Sequence, residues 1–193
     1  FGARDDMLVV RGAGTGVTGT IDGGQGIDTF VRSFEADATV ALGAALPLNF
    51  ESEGVEARGA GTTVSVTGSA ATLRLIGNGS FVNQASLGDG AREDSDHLAL
   101  LIGNGAFALR YPGTSVEAPL AVRNEAAITG GIDGQVGSFA NSGTITLSGD
   151  EGILLEAVPG RRLGFTNDGT IRVTGSGNDE ATVELHNFDY EQT

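Results

Sequence analysis

Short segments of the chain alternate apolar and polar residues with a period of two. Examples are Thr63–Thr67 (TVSVT), Thr144–Leu147 (TITL) and Thr170–Val173 (TIRV). In a half-buried β-strand, alternate side chains point to the same face, so this pattern is typical of short strands. Gly, Asn and Asp bound the segments, and these residues favour turns. The pattern predicts an all-β protein.

Several of these segments belong to longer repeats. Residues 139–149 (FANSGTITLSG) return as 165–175 (FTNDGTIRVTG), and residues 75–81 (LIGNGSF) return as 101–107 (LIGNGAF), in both cases 26 residues later. The string RGAGT at 11–15 returns at 58–62, close to two such periods. A fixed period of this size is typical of solenoids, whereas a β-sandwich has no reason to reuse a sequence at a fixed offset.

The repeat predicts a right-handed parallel β-helix of about eight coils that occupies residues 1–193 as a single segment. Like residues stack between coils in such a fold. We therefore expect an internal aromatic stack and a series of turn asparagines whose amides bond to one another. The residues predicted for these two structural roles are Phe81, Phe107, Phe139 and Phe165, and Asn83, Asn124, Asn141 and Asn167.

Charge and composition restrict the partners. The formal net charge is −14, and all 11 basic residues are Arg. Such an acidic surface repels nucleic acid, but it permits divalent cations or basic partners. Cys is absent, so the chain has neither disulfides nor thiolate metal ligands. The first residue is Phe1 and no signal-peptide pattern follows it, so we expect a fragment of a larger secreted protein.

The two Phe-x-Asn-x-Gly-Thr-Ile units at Phe139 and Phe165, together with the segment Val17–Phe30, resemble the passenger β-helices of bacterial autotransporters. The resemblance implies a cell-surface or extracellular segment of a Gram-negative-like bacterium, tethered in the full-length protein to an outer-membrane β-barrel. It also implies an adhesive or self-associating scaffold, whose partner is either another copy of the protein or a component of a host or cell surface. The alternative is a passive stalk that presents a catalytic domain encoded elsewhere.

The segment Gly23–Phe30 (GGQGIDTF) matches the glycine-rich nonapeptide of calcium-binding RTX repeats. Glycines let the backbone curl around Ca²⁺, and Asp supplies carboxylate oxygen. Asp22 and Asp28 are the candidate ligands, and a calcium-dependent RTX-like module is a third hypothesis. The competing interpretation is a glycine-rich coil turn without a metal, and no other cofactor is expected.

Two loops are candidate docking positions. Residues 88–97 carry a dense run of carboxylates and are predicted to form an inserted acidic loop. Arg161 and Arg162 form the only basic pair in the sequence, and binding residues favour loops on a rigid scaffold.

We do not expect an enzyme. Polysaccharide-acting β-helices are the alternative, but the chain has no Lys and its Arg residues are scattered. Asp5 and Asp6 are adjacent, so on a strand they would point to opposite faces and could not flank one bond.

Overall fold

Every regular element in the described part of the chain is a β-strand. The computed structural model describes residues 2–12, 19–43, 46–88, 98–103, 118–148, 151–158, 160–174 and 183–186. No helix occurs in these residues, so the all-β prediction is confirmed, and none of them forms a helix that could cross a membrane. In chain order the strands are β1 (Met7–Arg11), β2 (Thr29–Phe34), β3 (Ala38–Ala41), β4 (Ser52–Ala57), β5 (Thr63–Thr67), β6 (Ser69–Ala70), β7 (Leu73–Ile76), β8 (Ser80–Asn83), β9 (Ser86–Leu87), β10 (Leu98–Ile102), β11 (Ala121–Asn124), β12 (Ala127–Thr129), β13 (Gly131–Val136), β14 (Ser138–Asn141), β15 (Thr144–Ser148), β16 (Ile153–Ala157), β17 (Gly164–Asn167), β18 (Thr170–Thr174) and β19 (Val183–His186).

The strands form three parallel sheets. The eight-stranded sheet has the order β1-β2-β4-β7-β10-β13-β16-β19, the six-stranded sheet β17-β14-β11-β8-β5-β3, and the five-stranded sheet β18-β15-β12-β9-β6. From β5 to β19 the chain visits the six-, five- and eight-stranded sheets in a repeating order. Each strand pairs with the strand that the preceding coil contributes to the same sheet. This arrangement is consistent with a parallel β-helix or solenoid.

The core lies between the sheets and is built from inward columns of like residues. Leu87, Ile128, Ile145 and Ile171 follow one another in the five-stranded sheet, and the first three are fully buried. Leu73, Leu100, Ile132 and Ile153 do the same in the eight-stranded sheet. Alternation along each strand therefore places one apolar set inside, as the sequence pattern predicts.

The length of chain between stacked positions is not constant. Along the six-stranded sheet, Asn83, Asn124, Asn141 and Asn167 are separated by 41, 17 and 26 residues in turn. The 26-residue repeat between residues 139 and 165 is confirmed by the pairing of Phe139 with Phe165 and Thr144 with Thr170. It is one of several coil lengths, because the connections between strands differ while the strands themselves stay aligned.

The other 26-residue repeat, between residues 75 and 101, predicts the pairing of strands with an error of one residue. Leu101 lies opposite Arg74, and Ile102 lies opposite Leu75, so the offset is 27 residues. The register follows the buried face, because Leu75 and Ile102 are both fully buried in the core. A shift of one residue would turn these side chains to the other face of the sheet.

The predicted aromatic stack is only partly continuous. Phe139 and Phe165 stack with ring centroids 6.0 Å apart and planes inclined by 10°. Phe81 belongs to the same inward column and is buried, but Val122 lies between it and Phe139. Phe107 lies outside the described residues. The column alternates β-branched and aromatic side chains from Val64 to Phe139, and Phe165 then continues it as a second consecutive aromatic ring.

Candidate functional site

A column of three carboxylates stands at the start of the eight-stranded sheet. Asp6, Asp28 and Glu51 each immediately precede a strand, and the following residues Met7, Thr29 and Ser52 are in register. The three acids therefore lie one above another, at a spacing of about 4.8 Å. None of the ion pairs among the described residues includes any of them.

The acids of this column accept hydrogen bonds from main-chain N–H groups. The Asp6 N–H donates to Asp28 Oδ1 at 2.7 Å, and the Asp28 N–H donates to Glu51 Oε2 at 2.9 Å. One coil thus holds the next through a carboxylate. The adjacent Asp5 accepts from the Ile27 N–H at 2.9 Å in the same manner.

Asp28 is the buried centre of this column. Its side chain has 0% exposure, and Oδ2 has no hydrogen-bond partner among the residues that the structure describes. Oδ2 faces Gly23, since a Cβ on Gly23 would lie 2.3 Å from it and 2.0 Å from the main-chain oxygen of Asn49. Two acceptor oxygens thus converge on the bare side of one glycine.

Asp22, the other predicted calcium ligand, lies on the same turn but is exposed. Its Oδ1 accepts from the Gly24 N–H at 3.0 Å and from Asn49 Nδ2 at 2.7 Å. Asn49 has a left-handed φ of 55°, a conformation that Asn tolerates better than most residues. Asp22 therefore holds the residue whose carbonyl faces Asp28. No group of three or more Asp, Glu or His side chains in the described residues is arranged to hold a metal ion.

A partly buried ion pair, with a buried Glu53 and a half-buried Arg32, lies on the inward face of the neighbouring strands. Glu53 on β4 shares a face with the core residue Val55, lies in register with Leu73, and pairs with Arg32 of β2. Arg32 also donates from Nη1 to the Ala41 carbonyl at 3.0 Å, and the Gly43 N–H donates to Glu53 Oε2 at 3.2 Å. Burial raises the pKa of Glu53, against the opposing effects of the Gly43 N–H and the Arg32 guanidinium.

A concave pocket of about 360 Å³ opens beside this ion pair. It lies where the five-stranded sheet begins, because β6 is the first strand of that sheet. Its wall carries the polar residues Glu51, Glu53, Ser69 and Thr72. The lining residues are Gly43, Leu46, Glu51, Glu53, Ser69, Ala70, Ala71, Thr72 and Gly88.

The four predicted turn asparagines form a hydrogen-bonded ladder. Asn83 Nδ2 donates to Asn124 Oδ1 at 2.8 Å, Asn124 to Asn141 at 2.8 Å, and Asn141 to Asn167 at 2.7 Å. Each amide also donates to the carbonyl two residues ahead, as Asn124 does to Ala126 at 3.0 Å. The first three are buried and Asn167 is exposed.

The predicted loop positions lie apart from the acidic column. Arg161 and Arg162 are exposed in the connection between β16 and β17, and Leu163 beside them is buried. Of the predicted acidic loop 88–97, only Gly88 belongs to the described residues, where it lines the pocket.

Sequence reasoning missed Asp6, Glu51 and the Arg32–Glu53 pair. The signal for the first two was present, since an acid directly before a strand occurs at Asp6, Asp28 and Glu51 at spacings of 22 and 23 residues. It was hidden because the flanking sequences are unlike. For Glu53 there was no such signal. The alternating pattern places Glu53 and Val55 on the same face of the strand, but it does not show which face is buried.

Comparison with known proteins gave no match to any family model, curated protein or solved structure.

Proposed function

We propose that the chain is a right-handed parallel β-helix of about eight coils that serves as an extended passenger segment of an autotransporter-like surface protein. In this proposal it acts as an adhesive or self-associating scaffold outside a Gram-negative-like cell. The full-length protein tethers it to an outer-membrane β-barrel.

The observation that carries the architecture is the stacking of consecutive passes in three parallel sheets. One strand of the eight-stranded sheet per coil supports the proposed count of about eight coils. Connections between parallel strands of one sheet are right-handed in about 98% of known cases, which supports that hand. A crystal structure with left-handed connections would overturn this part of the proposal.

The scaffold role is supported by the distribution of the stabilising contacts. Apolar columns and the asparagine ladder run from coil to coil, so each coil is stabilised mainly by its neighbours. Rigidity along an axis is what a presenting or spacing segment requires.

Self-association is supported by the end of the stack. Strands β17, β18 and β19 are terminal in their sheets, so each has an edge with no paired strand among the described residues. Val173 on β18 is 58% exposed although it continues the column of the fully buried Leu147. Unpaired edges with exposed apolar side chains favour pairing with a further strand, which in this proposal a second copy supplies.

The test is sedimentation velocity over a concentration series. We expect concentration-dependent association of the wild-type chain, and its loss in Val173→Lys, because a charge on an edge strand opposes pairing. Thr146→Lys, in the interior strand β15 of the same sheet, is the matched control and should still associate. A monomer at every concentration would refute self-association and favour the passive stalk, whose function would reside in another domain.

A further inference from the structure

The pocket beside Glu53 has the size of a small-molecule binding site and is open to solvent. Its volume of about 360 Å³ lies within the range of about 300 to 1,000 Å³ that is typical of ligand pockets. Three of the residues that line it, Glu51, Ser69 and Ala71, are exposed. A ligand can therefore enter the pocket without a rearrangement of the coils.

The polar side chains of the lining can all accept hydrogen bonds, and none of them is a cation. They are the carboxylates of Glu51 and Glu53 and the hydroxyls of Ser69 and Thr72. The Thr72 hydroxyl donates to the Leu98 carbonyl at 3.1 Å, so its oxygen is left to accept a further bond. Among the described residues that line the pocket, neither Arg nor His is present. The pocket therefore favours a ligand group that donates hydrogen bonds.

The two carboxylates of the lining differ in how their charge is compensated. Glu53 pairs with Arg32 through Oε1 and accepts from the Gly43 N–H through Oε2 at 3.2 Å, so both of its oxygens are engaged. Glu51 accepts from the Asp28 N–H through Oε2 at 2.9 Å and belongs to none of the ion pairs among the described residues. Its charge is uncompensated within this part of the chain, and Oε1 is left to accept a bond from a ligand.

We propose that this pocket binds an alkylammonium group, either the side chain of a lysine on another protein or a free alkylamine. The ammonium group has three N–H donors, for which Glu51, Ser69 and Thr72 supply acceptors. The alkyl chain packs against the apolar part of the lining, as lysine stems commonly do on protein surfaces. This apolar part consists of Leu46, Ala70 and Ala71.

The composition of the chain agrees with a ligand of this kind. The net charge of −14 attracts cations. The sequence contains no Lys, so this chain itself cannot supply the lysine. The proposal goes beyond the scaffold function and holds or fails independently of it.

The experiment follows the isotope-labelled wild-type chain by NMR while Nα-acetyl-lysine methylamide is added at constant ionic strength. Nα-acetyl-norleucine methylamide is the matched control ligand, because it has the same alkyl chain without the ammonium group. We expect saturable shifts of the main-chain amides of Gly43, Leu46 and Ser69 with the lysine derivative, and none with the norleucine derivative. A titration with n-pentylamine, which carries the same charge, distinguishes the two sources. Tighter binding of the lysine derivative assigns the pocket to a lysine side chain, and tighter binding of n-pentylamine assigns it to a free alkylamine.

Two variants that lose the same charge test the role of Glu51. Glu51→Gln keeps an oxygen for the Asp28 N–H but removes the negative charge, so the Kd of the lysine derivative should rise about 2- to 5-fold. Asp168→Asn removes an exposed carboxylate near the far end of the stack and should leave this Kd unchanged. Equal weakening in both variants would show a general attraction to the acidic chain and would overturn the proposal, as would equal binding of the norleucine derivative.

Filling the cavity gives a second test that does not involve charge. Ala71→Phe places a larger side chain in the pocket, and Ala127→Phe is the control at an exposed position of β12 in the five-stranded sheet. We expect the first variant to abolish the amide shifts at the pocket and the second to retain them, with Tm of both variants as the check on folding. Retained binding in Ala71→Phe, or shifts confined to another part of the wild-type chain, would contradict binding in this pocket.

Discussion

Individual polar side chains inside this protein are satisfied by bonds to the neighbouring coils together with bonds to their own turn. Asn124 is the clearest case, since it accepts from Asn83, donates to Asn141 and bonds to Ala126. The sequence predicted this ladder because the four asparagines share a position relative to strands of similar sequence. It could not predict Asp28 as a buried residue, because the glycine-rich segment around it reads equally well as an exposed turn.

Replacing the central ladder residue should destabilise the fold more than replacing the terminal one. Asn124→Ala leaves one N–H of the buried Asn83 amide and the buried side-chain oxygen of Asn141 without their partners, at roughly 1 to 3 kcal/mol for each group. We expect a loss of about 2 to 5 kcal/mol in the free energy of unfolding. Urea denaturation measures it, with Asn167→Ala as the control that should cost about 1 kcal/mol or less because water replaces its partner. Equal losses in both variants would refute the ladder as a stabilising element.

Glu53 should make stability fall as pH rises. Its pKa in the folded protein is raised by burial above the ordinary value near 4.5, so the folded state holds this proton more firmly than the unfolded chain does. The resulting contribution is fully present below that value and is lost as pH rises through the folded pKa. We therefore expect the unfolding free energy of the wild type, minus that of Glu53→Gln, to decrease as the pH rises above about 4.5. Denaturation curves at several pH values test this, and a difference that grows with pH would show that the ion pair with Arg32 outweighs burial.

At the scale of the strand and turn, close stacking of coils dictates where glycine is required. Gly88 follows β9 with a φ of +84°, and a Cβ there would lie 1.7 Å from the Thr129 carbonyl oxygen of the next coil. The sequence shows many glycines, but it does not tell which of them face a neighbouring coil. Gly61, for example, has open space around its Cα.

Gly88→Ala should therefore be strongly destabilising and Gly61→Ala should not. The first substitution combines a left-handed backbone with a clash against main chain, and we expect a loss of more than about 2 kcal/mol. The second should be neutral or should stabilise by up to about 1 kcal/mol, because alanine restricts the unfolded chain. Tm measurements on the two variants decide, and a tolerated Gly88→Ala would mean that the coils can separate at this turn.

At the scale of the whole molecule, the repeated sequence strings predicted parallel strands. Insertions between the repeats made the register of those strands hard to predict. Repeated strings located the pairing of Phe139 with Phe165, but the same method misplaced Leu101 by one residue. The pairing of two strands depends on which of their side chains are buried in the core. Two strands of similar sequence can bury their apolar side chains in a register that is shifted by one residue from the alignment of their sequences. The acidic column was unpredictable for a related reason, since Asp6, Asp28 and Glu51 meet only after the lengths of two unlike coils are known.

The asparagine ladder gives the molecule a direction. Every amide in it donates toward the carboxyl-terminal coil, so the small dipoles add, with an acceptor-facing start at Asn83 and a donor-facing end at Asn167. At its start the column is closed by the apolar Val66, which lies in register with Asn83. Two copies that met through their carboxyl-terminal ends would set donor against donor, whereas a following unit that offers an oxygen at this position would extend the ladder. A contact between two carboxyl-terminal ends therefore cannot continue the ladder, and a heterologous contact continues it only with a unit that presents an oxygen at this position.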